Sequence, residues 1–258
     1  MKKARVLVVE DEAIVATDIH DRLKALGYEV TAMVPSGEEA MSKAAETAPD
    51  LVLMDIILGG AVDGVEAAQL IQARLDIPVV YLTAHGDEAT LQRAKVTAPF
   101  GYVVKPFDER ELHTSIEIAL YRHKTENRLR ALEQWLDAVL RSLGDAVVVT
   151  DKWGLVALMN PAASELSGWR QAEALVKPFA EVFKLVDPAT RQPLEPPFSK
   201  VLLETTVIQR RNLLLLQRRD GQETLVDYSV APVVDDSNNS TGVVFVLRQK
   251  EGDSQGFS

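Results

Sequence analysis

From residue 4 to residue 120, short apolar runs alternate with stretches in which apolar and polar positions repeat at helical period. The runs predict strands at 5–9, 29–34, 51–55, 78–82 and 101–104, and the intervening stretches predict helices at 12–26, 37–47, 63–74, 86–96 and from 108 onward. Short β-branched runs bounded by polar positions suit buried strands. Five strands each followed by a helix predict a doubly wound α/β domain, a five-stranded parallel sheet with helices on both faces and right-handed crossovers. Gly27, Pro49 and Pro78 stand where helices end or a strand begins.

The pattern then changes twice. No Pro or Gly interrupts Asp108 to Leu143, and Leu129, Leu132, Leu136, Val139 and Leu143 recur at 3-4-3-4 spacing, the a/d pattern of a helix seam. Two heptads leave a coiled coil and a helix packed on the second domain both open. From Ala146 the pattern is that of strands and turns. A strand over 146–150, a turn at Asp151-Lys152-Trp153-Gly154 and a strand over 155–159 precede a helix capped by Asn160-Pro161. After a Pro-rich loop come a helix near 198–206 and strands at 211–219, 223–233 and 242–249, with Asp220-Gly221 as a hairpin signal. This predicts an α+β domain on an antiparallel sheet. Residues 251–258 read as a frayed tail.

Composition narrows the function. With 258 residues and 47% apolar content, the chain has room for two cores. Residues 1–120 hold 11 Lys and Arg against 20 Asp and Glu, and residues 121–258 hold 17 against 18. Neither half offers the basic field that steers a protein onto nucleic acid, so no direct nucleic-acid partner is expected. The absence of cysteine excludes disulfides, thiolate metal sites and thiol-linked flavin. No stretch has the length of a membrane span, and the first apolar run stops at Glu10-Asp11-Glu12, so a cytoplasmic location is expected.

Four strand ends carry candidate chemistry: Glu10-Asp11, Asp55, Thr83 and Lys105-Pro106. In an open parallel sheet such groups meet at the carboxyl edge. Asp11 and Asp55 can ligate Mg²⁺ directly and Glu10 through water. Asp55 is the candidate nucleophile, Lys105 neutralises an incoming phosphoryl oxygen, and Thr83 donates to another.

These pieces, Val8-Val9-Glu10-Asp11-Glu12, Leu53-Met54-Asp55-Ile56, Asp63-Gly64, Leu82-Thr83-Ala84 and Tyr102-Val103-Val104-Lys105-Pro106-Phe107, resemble a response-regulator receiver domain of flavodoxin-like fold. The resemblance implies that Asp55 is the phosphoacceptor and that Thr83 and Lys105 assist catalysis. It further implies that Thr83 and Tyr102 form a switch pair, that the Ile57 main-chain carbonyl joins Glu10, Asp11 and Asp55 around the metal, and that Lys105-Pro106 is cis. The phosphoryl donor would be a histidine kinase or phosphotransfer protein. Ile57 and His85 would flank the path of water to the acyl phosphate.

Residues 146–249 resemble a PAS domain through Gly144 to Asp151, Met159-Asn160-Pro161-Ala162-Ala163, Gly168-Trp169 and Arg219-Asp220-Gly221. His20, His85, His113 and His123 all precede it, so no His-ligated haem is expected there, and any other PAS ligand is unknown. Trp153 and Trp169 read as core packing more than as a cofactor cleft. His113 and His123 read as solvated positions of the long helix. The expected organisation is a receiver at 1–120, a helical linker at 121–143, a PAS domain at 144–250 and the tail. Together these imply a two-component response regulator, a signalling protein rather than an enzyme. It would relay phosphorylation through the linker to a PAS domain that contacts a downstream protein, as a homodimer. The alternative is a PAS-based small-molecule sensor or dimerisation adaptor with receiver phosphorylation secondary or lost.

Overall fold

A computed structural model describes residues 3–84, 99–204 and 207–250. Residue contacts divide the chain into two units, Met1–Ala131 and Leu132–Ser258.

In the first unit, β1 (Arg5–Val9), α1 (Ala13–Ala25), β2 (Glu29–Val34), α2 (Gly37–Thr47), β3 (Leu51–Asp55), α3 (Gly64–Leu75), β4 (Val79–Ala84) and β5 (Gly101–Lys105) follow in order. The helix expected at 86–96, with His85, lies outside the described residues. All strand pairs are parallel, in the order β2-β1-β3-β4-β5. Every residue of central β3 is buried, as an apolar strand covered on both faces requires. On one face Leu7, Val52 and Tyr81 pack with Ala40, Ala44, Val65, Ala68 and Ile71 from α2 and α3. On the other, Val6, Leu53 and Val103 pack with Ile19 and Leu23 of α1 and with Leu112, Ile116 and Ala119. Those last three belong to α4 (Glu109–Ser142), a helix of 34 residues. Ser36 and Asp63 start α2 and α3 by accepting the main-chain N–H of Glu39 at 3.3 Å and Glu66 at 2.9 Å.

The second unit holds β6 (Ala146–Asp151), β7 (Val156–Met159), α5 (Pro161–Ser167), α6 (Gln171–Ala174), α7 (Phe179–Val182), β8 (Lys184–Val186), α8 (Phe198–Glu204), β9 (Ile208–Gln217), β10 (Glu223–Val234) and β11 (Ser240–Gln249). They form an antiparallel six-stranded sheet in the order β7-β6-β11-β10-β9-β8. Phe179 stacks on Phe245 at 4.0 Å between ring centroids and on Phe183 at 5.0 Å, filling the core between sheet and helices. The Asp220-Gly221 hairpin forms as expected, with Gly221 at φ +85° and Arg218 N–H donating to the Gln222 carbonyl at 2.8 Å. Strand β9 begins three residues before its expected start, and β8 was not expected. Three residues carry no periodicity, and β8 exists because β9 pairs with it.

Among the described residues no helix is long and apolar enough to cross a membrane. The expectation of solvated histidines holds poorly for His123. Its side chain is 18% exposed, lies 3.5 Å from an Asp76 oxygen and meets the Phe100 ring edge-on.

Candidate functional site

The site forms at the carboxyl edge of the parallel sheet, where strand order reverses between β1 and β3. Pairing sets Val9 beside Met54, Asp55 beside Leu82 and Ala84 beside Lys105, so neighbouring strands end together. Glu10 extends the β1 ladder by one bond, its N–H donating to the Val34 carbonyl at 3.0 Å.

Lys105 Nζ donates to Asp55 Oδ2 at 2.6 Å and to Glu10 Oε2 at 2.5 Å. Glu10, Asp55 and Thr83 are buried, whereas Asp11 is exposed. Glu10, Asp11 and Asp55 each offer an oxygen, and these oxygens lie within 4.8 Å of one another. Three carboxylates against one ammonium leave a negative excess. Burial, reinforced by the Asp55 charge, pushes the Glu10 carboxyl above its ordinary range although the Lys105 hydrogen bond opposes this. Burial alone would lower the Lys105 ammonium, but its bonds to Asp55 and Glu10 outweigh burial and hold it above its usual value. An all-oxygen donor set of this charge fits a hard divalent cation such as Mg²⁺.

The loop after β3 is tied down on three sides. Asp55 Oδ1 accepts the Ile57 N–H at 3.0 Å, and Asp11 Oδ2 accepts the Gly59 N–H at 3.4 Å. Glu38 Oε1, from α2, accepts the N–H groups of Ala61 and Val62, each at 3.1 Å. Sequence reasoning missed Glu38. One of two exposed glutamates in the first turn of a helix reads as a favourable dipole charge, and no pattern points it at a loop 23 residues away. The Ile57 side chain is exposed beside the acceptor.

Thr83 Oγ1 donates to the Ala84 carbonyl at 3.3 Å. The Tyr102 ring lies 5.8 Å from that of Tyr81, and its hydroxyl is buried with no hydrogen-bond partner among the described residues. Burial raises its pKa. The Lys105-Pro106 bond is cis, as the resemblance implied.

In the second unit the core-packing expectation fails for Trp153, which is 74% exposed beneath the Lys152 ammonium, whereas Trp169 packs against the core, with Arg219 at 4.3 Å and Lys177 at 5.4 Å from its ring.

The response regulator receiver domain family matches residues 6–117, and the PAS fold family matches residues 135–250. The transcriptional regulatory protein PdtaR of Mycobacterium tuberculosis is 37% identical over 120 residues, 46% of this chain and 58% of that protein. The phosphate regulon transcriptional regulatory protein PhoB of Rhizobium meliloti is 35% identical over 125 residues, 47% of this chain and 54% of that protein. The chain thus spans about half the length of these curated relatives. The solved signal receiver domain of a modulated diguanylate cyclase from Desulfovibrio desulfuricans G20 is 42% identical, covers 48% of this chain and 99% of its own, and superposes with a TM-score of 0.47. Every strand-end residue expected at the site and resolved in the sheet lies at its carboxyl edge, and residues 6–117 belong to the response-regulator receiver family, followed at 135–250 by a PAS domain.

Proposed function

We propose that Asp55 accepts a phosphoryl group from the phosphohistidine of a kinase or phosphotransfer protein. The observation that carries this reading is the double ion pair of Lys105 with Asp55 and Glu10, inside a cluster of three carboxylates. In the transfer, an Asp55 oxygen bonds to phosphorus as the P–N bond breaks, and the donor imidazole leaves with the bonding electrons. Asp55 Oδ2 must part from Lys105, whose ammonium then bonds a phosphoryl oxygen, while Thr83 donates to another. Glu10, Asp11, Asp55 and the Ile57 carbonyl would hold Mg²⁺, which when bound offsets the charge of the phosphoryl oxygens. The Thr83 hydroxyl must turn from its Ala84 bond, and the Tyr102 hydroxyl, with no partner among the described residues, fits a ring that changes rotamer. That pair would carry the state to α4 and so through the linker to the PAS domain, whose output is a protein contact.

Treatment with acetyl phosphate and Mg²⁺ tests the assignment. Intact mass should rise by one phosphoryl group in the wild type and not in Asp55→Asn; an equal gain in both would remove Asp55 from the role. Mg²⁺ alone should raise the unfolding temperature of the receiver by a few degrees, since ligand at about ten times its Kd contributes roughly 1.4 kcal/mol. Asp11→Asn should lose most of that shift, as measured by calorimetry in titrated Mg²⁺.

One observation favours a second reading, in which the PAS core binds a small molecule. The Tyr228 hydroxyl is buried there with no hydrogen-bond partner among the described residues. Native mass spectrometry decides between them, because the sensor reading requires a ligand that stays with the purified chain.

A further inference from the structure

Of the groups that would hold Mg²⁺, the Ile57 carbonyl alone belongs to the loop between β3 and α3, and Gly59 and Gly60 give that loop little stiffness of its own. Three carboxylates tie it down. Asp55 Oδ1 takes the Ile57 N–H and Asp11 Oδ2 takes the Gly59 N–H, but both side chains have a second task, one as acceptor and the other as metal ligand. Glu38 has none. Among the described residues the oxygen cluster is Glu10, Asp11 and Asp55, and Glu38 stands outside it, with Oε1 accepting the N–H groups of Ala61 and Val62. Its platform is stiff. A Cβ on buried Gly37 would lie 2.6 Å from the Val62 carbonyl oxygen, and Ala40 and Ala44 of the same helix are packed in the core. From the other side Gly60, at φ +131°, brings its main chain so close that a Cβ there would lie 3.3 Å from Glu38 Oε2. The Glu38 main-chain N–H, and after it those of Val62 and Ala61, hold the Glu38 carboxyl below its usual range.

We propose that Glu38 is a positioning residue for the metal site: by holding Ala61 and Val62 it keeps the Ile57 carbonyl in place, and so sets the Mg²⁺ affinity of the receiver. It thereby also sets the Mg²⁺ concentration at which Asp55 becomes phosphorylated, so the inference rests on the phosphoryl-transfer reading above. The physical reason is conformational entropy. A loop ligand that has to be ordered as the cation arrives weakens binding, and a loop already ordered in the free protein avoids that cost. Without Glu38 the loop keeps only the hydrogen bonds to Asp55 and Asp11, and the reaction itself claims both of those side chains. The effect falls on metal binding and not on the transfer step, because Glu38 bonds neither the acceptor nor Lys105. Reach matters here, not charge. Glutamine keeps an oxygen at the same distance that can accept both N–H groups, whereas aspartate keeps the charge but is one methylene short.

The test uses the full chain and begins without metal. In Mg²⁺-free protein, Glu38→Ala should speed hydrogen exchange of the Ala61 and Val62 amides by roughly tenfold while leaving circular dichroism unchanged. Calorimetric titration with Mg²⁺ should then give a Kd roughly tenfold weaker for Glu38→Ala and for Glu38→Asp, with Glu38→Gln within about threefold of wild type. Glu39→Ala, which removes the neighbouring charge of the same turn, should bind as wild type does. With acetyl phosphate, Glu38→Ala should be phosphorylated more slowly at low Mg²⁺ and at the wild-type rate once Mg²⁺ saturates. Should Glu38→Ala fold poorly, the Asp and Gln variants carry the comparison alone. Wild-type affinity in Glu38→Asp with Glu38→Gln impaired would make the role one of charge and overturn the inference. Unchanged Mg²⁺ affinity or amide exchange in Glu38→Ala, or a slow rate that persists at saturating Mg²⁺, would overturn it too. A wild type that binds no Mg²⁺ is a different failure, since it would remove the metal from the reading above and this inference with it.

Discussion

Gly64→Ala is expected to destabilise the receiver by about 3 kcal/mol and to disarm its acceptor at the same time. A Cβ at this position would sit 1.9 Å from the Asp55 carbonyl oxygen and 3.0 Å from that of Ile56. Both neighbours are main chain, so no side chain can swing aside. Either α3 withdraws from the sheet or the end of β3 moves, and β3 is buried along its whole length. Movement there breaks the alignment of Asp55 with Lys105, whose bond is 2.6 Å. The receiver transition should fall by roughly 10 °C, and phosphoryl uptake should fall with it. Gly144→Ala is the matched control, because a Cβ there meets nothing within 4 Å. A Gly64→Ala protein that melts and reacts like wild type would show that the helix start is slack and that the close approach does not position the site.

Asn160→Ala should destabilise the second unit by a similar amount, about 3–4 kcal/mol, through lost hydrogen bonds alone. This side chain is 2% exposed and uses all four of its hydrogen-bonding positions. Its Oδ1 accepts the N–H groups of Val147 and Ala163, each at 2.9 Å. Its Nδ2 donates to the carbonyls of Leu140 at 3.1 Å and Asp145 at 2.9 Å. One amide therefore caps the start of α5, satisfies a carbonyl in the last turn of α4 and holds the first residues of β6. Alanine leaves those groups without partners. Asn160→Asp should be nearly as harmful, because it keeps the two accepted bonds but sets a carboxylate oxygen against two carbonyls. Asn160→Ser, which can still cap α5, should lose less. Urea unfolding, followed as a separate transition of the second unit, measures the series. Equal stability of the Asn and Asp proteins would mean that the Leu140 and Asp145 bonds contribute nothing.

Asn160 also shows how far the sequence could be read. Asn before Pro marks the start of a helix, and that much was legible because capping is local chemistry. That the same side chain would reach back 20 residues to Leu140 was not. Local order has a local cause, which is why the described strands and helices of the first unit fall within two residues of their expected ends. In the second unit β8 and the start of β9 exist because each finds an edge to pair with, and pairing partners leave no periodic mark.

The candidate site divides the same way. Alternating strands and helices, with acid, acid, hydroxyl and amine at the strand ends, were determined by the chain itself, because a parallel sheet sends all its carboxyl ends to one edge. The tertiary structure decided which of these groups touch. It brought Lys105 across to both Glu10 and Asp55, buried Glu10 deeply enough to raise its carboxyl, and recruited Glu38 to tie the loop beyond the acceptor. Distances of a few ångströms between residues up to 95 apart follow from packing, and packing is a property of the assembled layers rather than of any one segment.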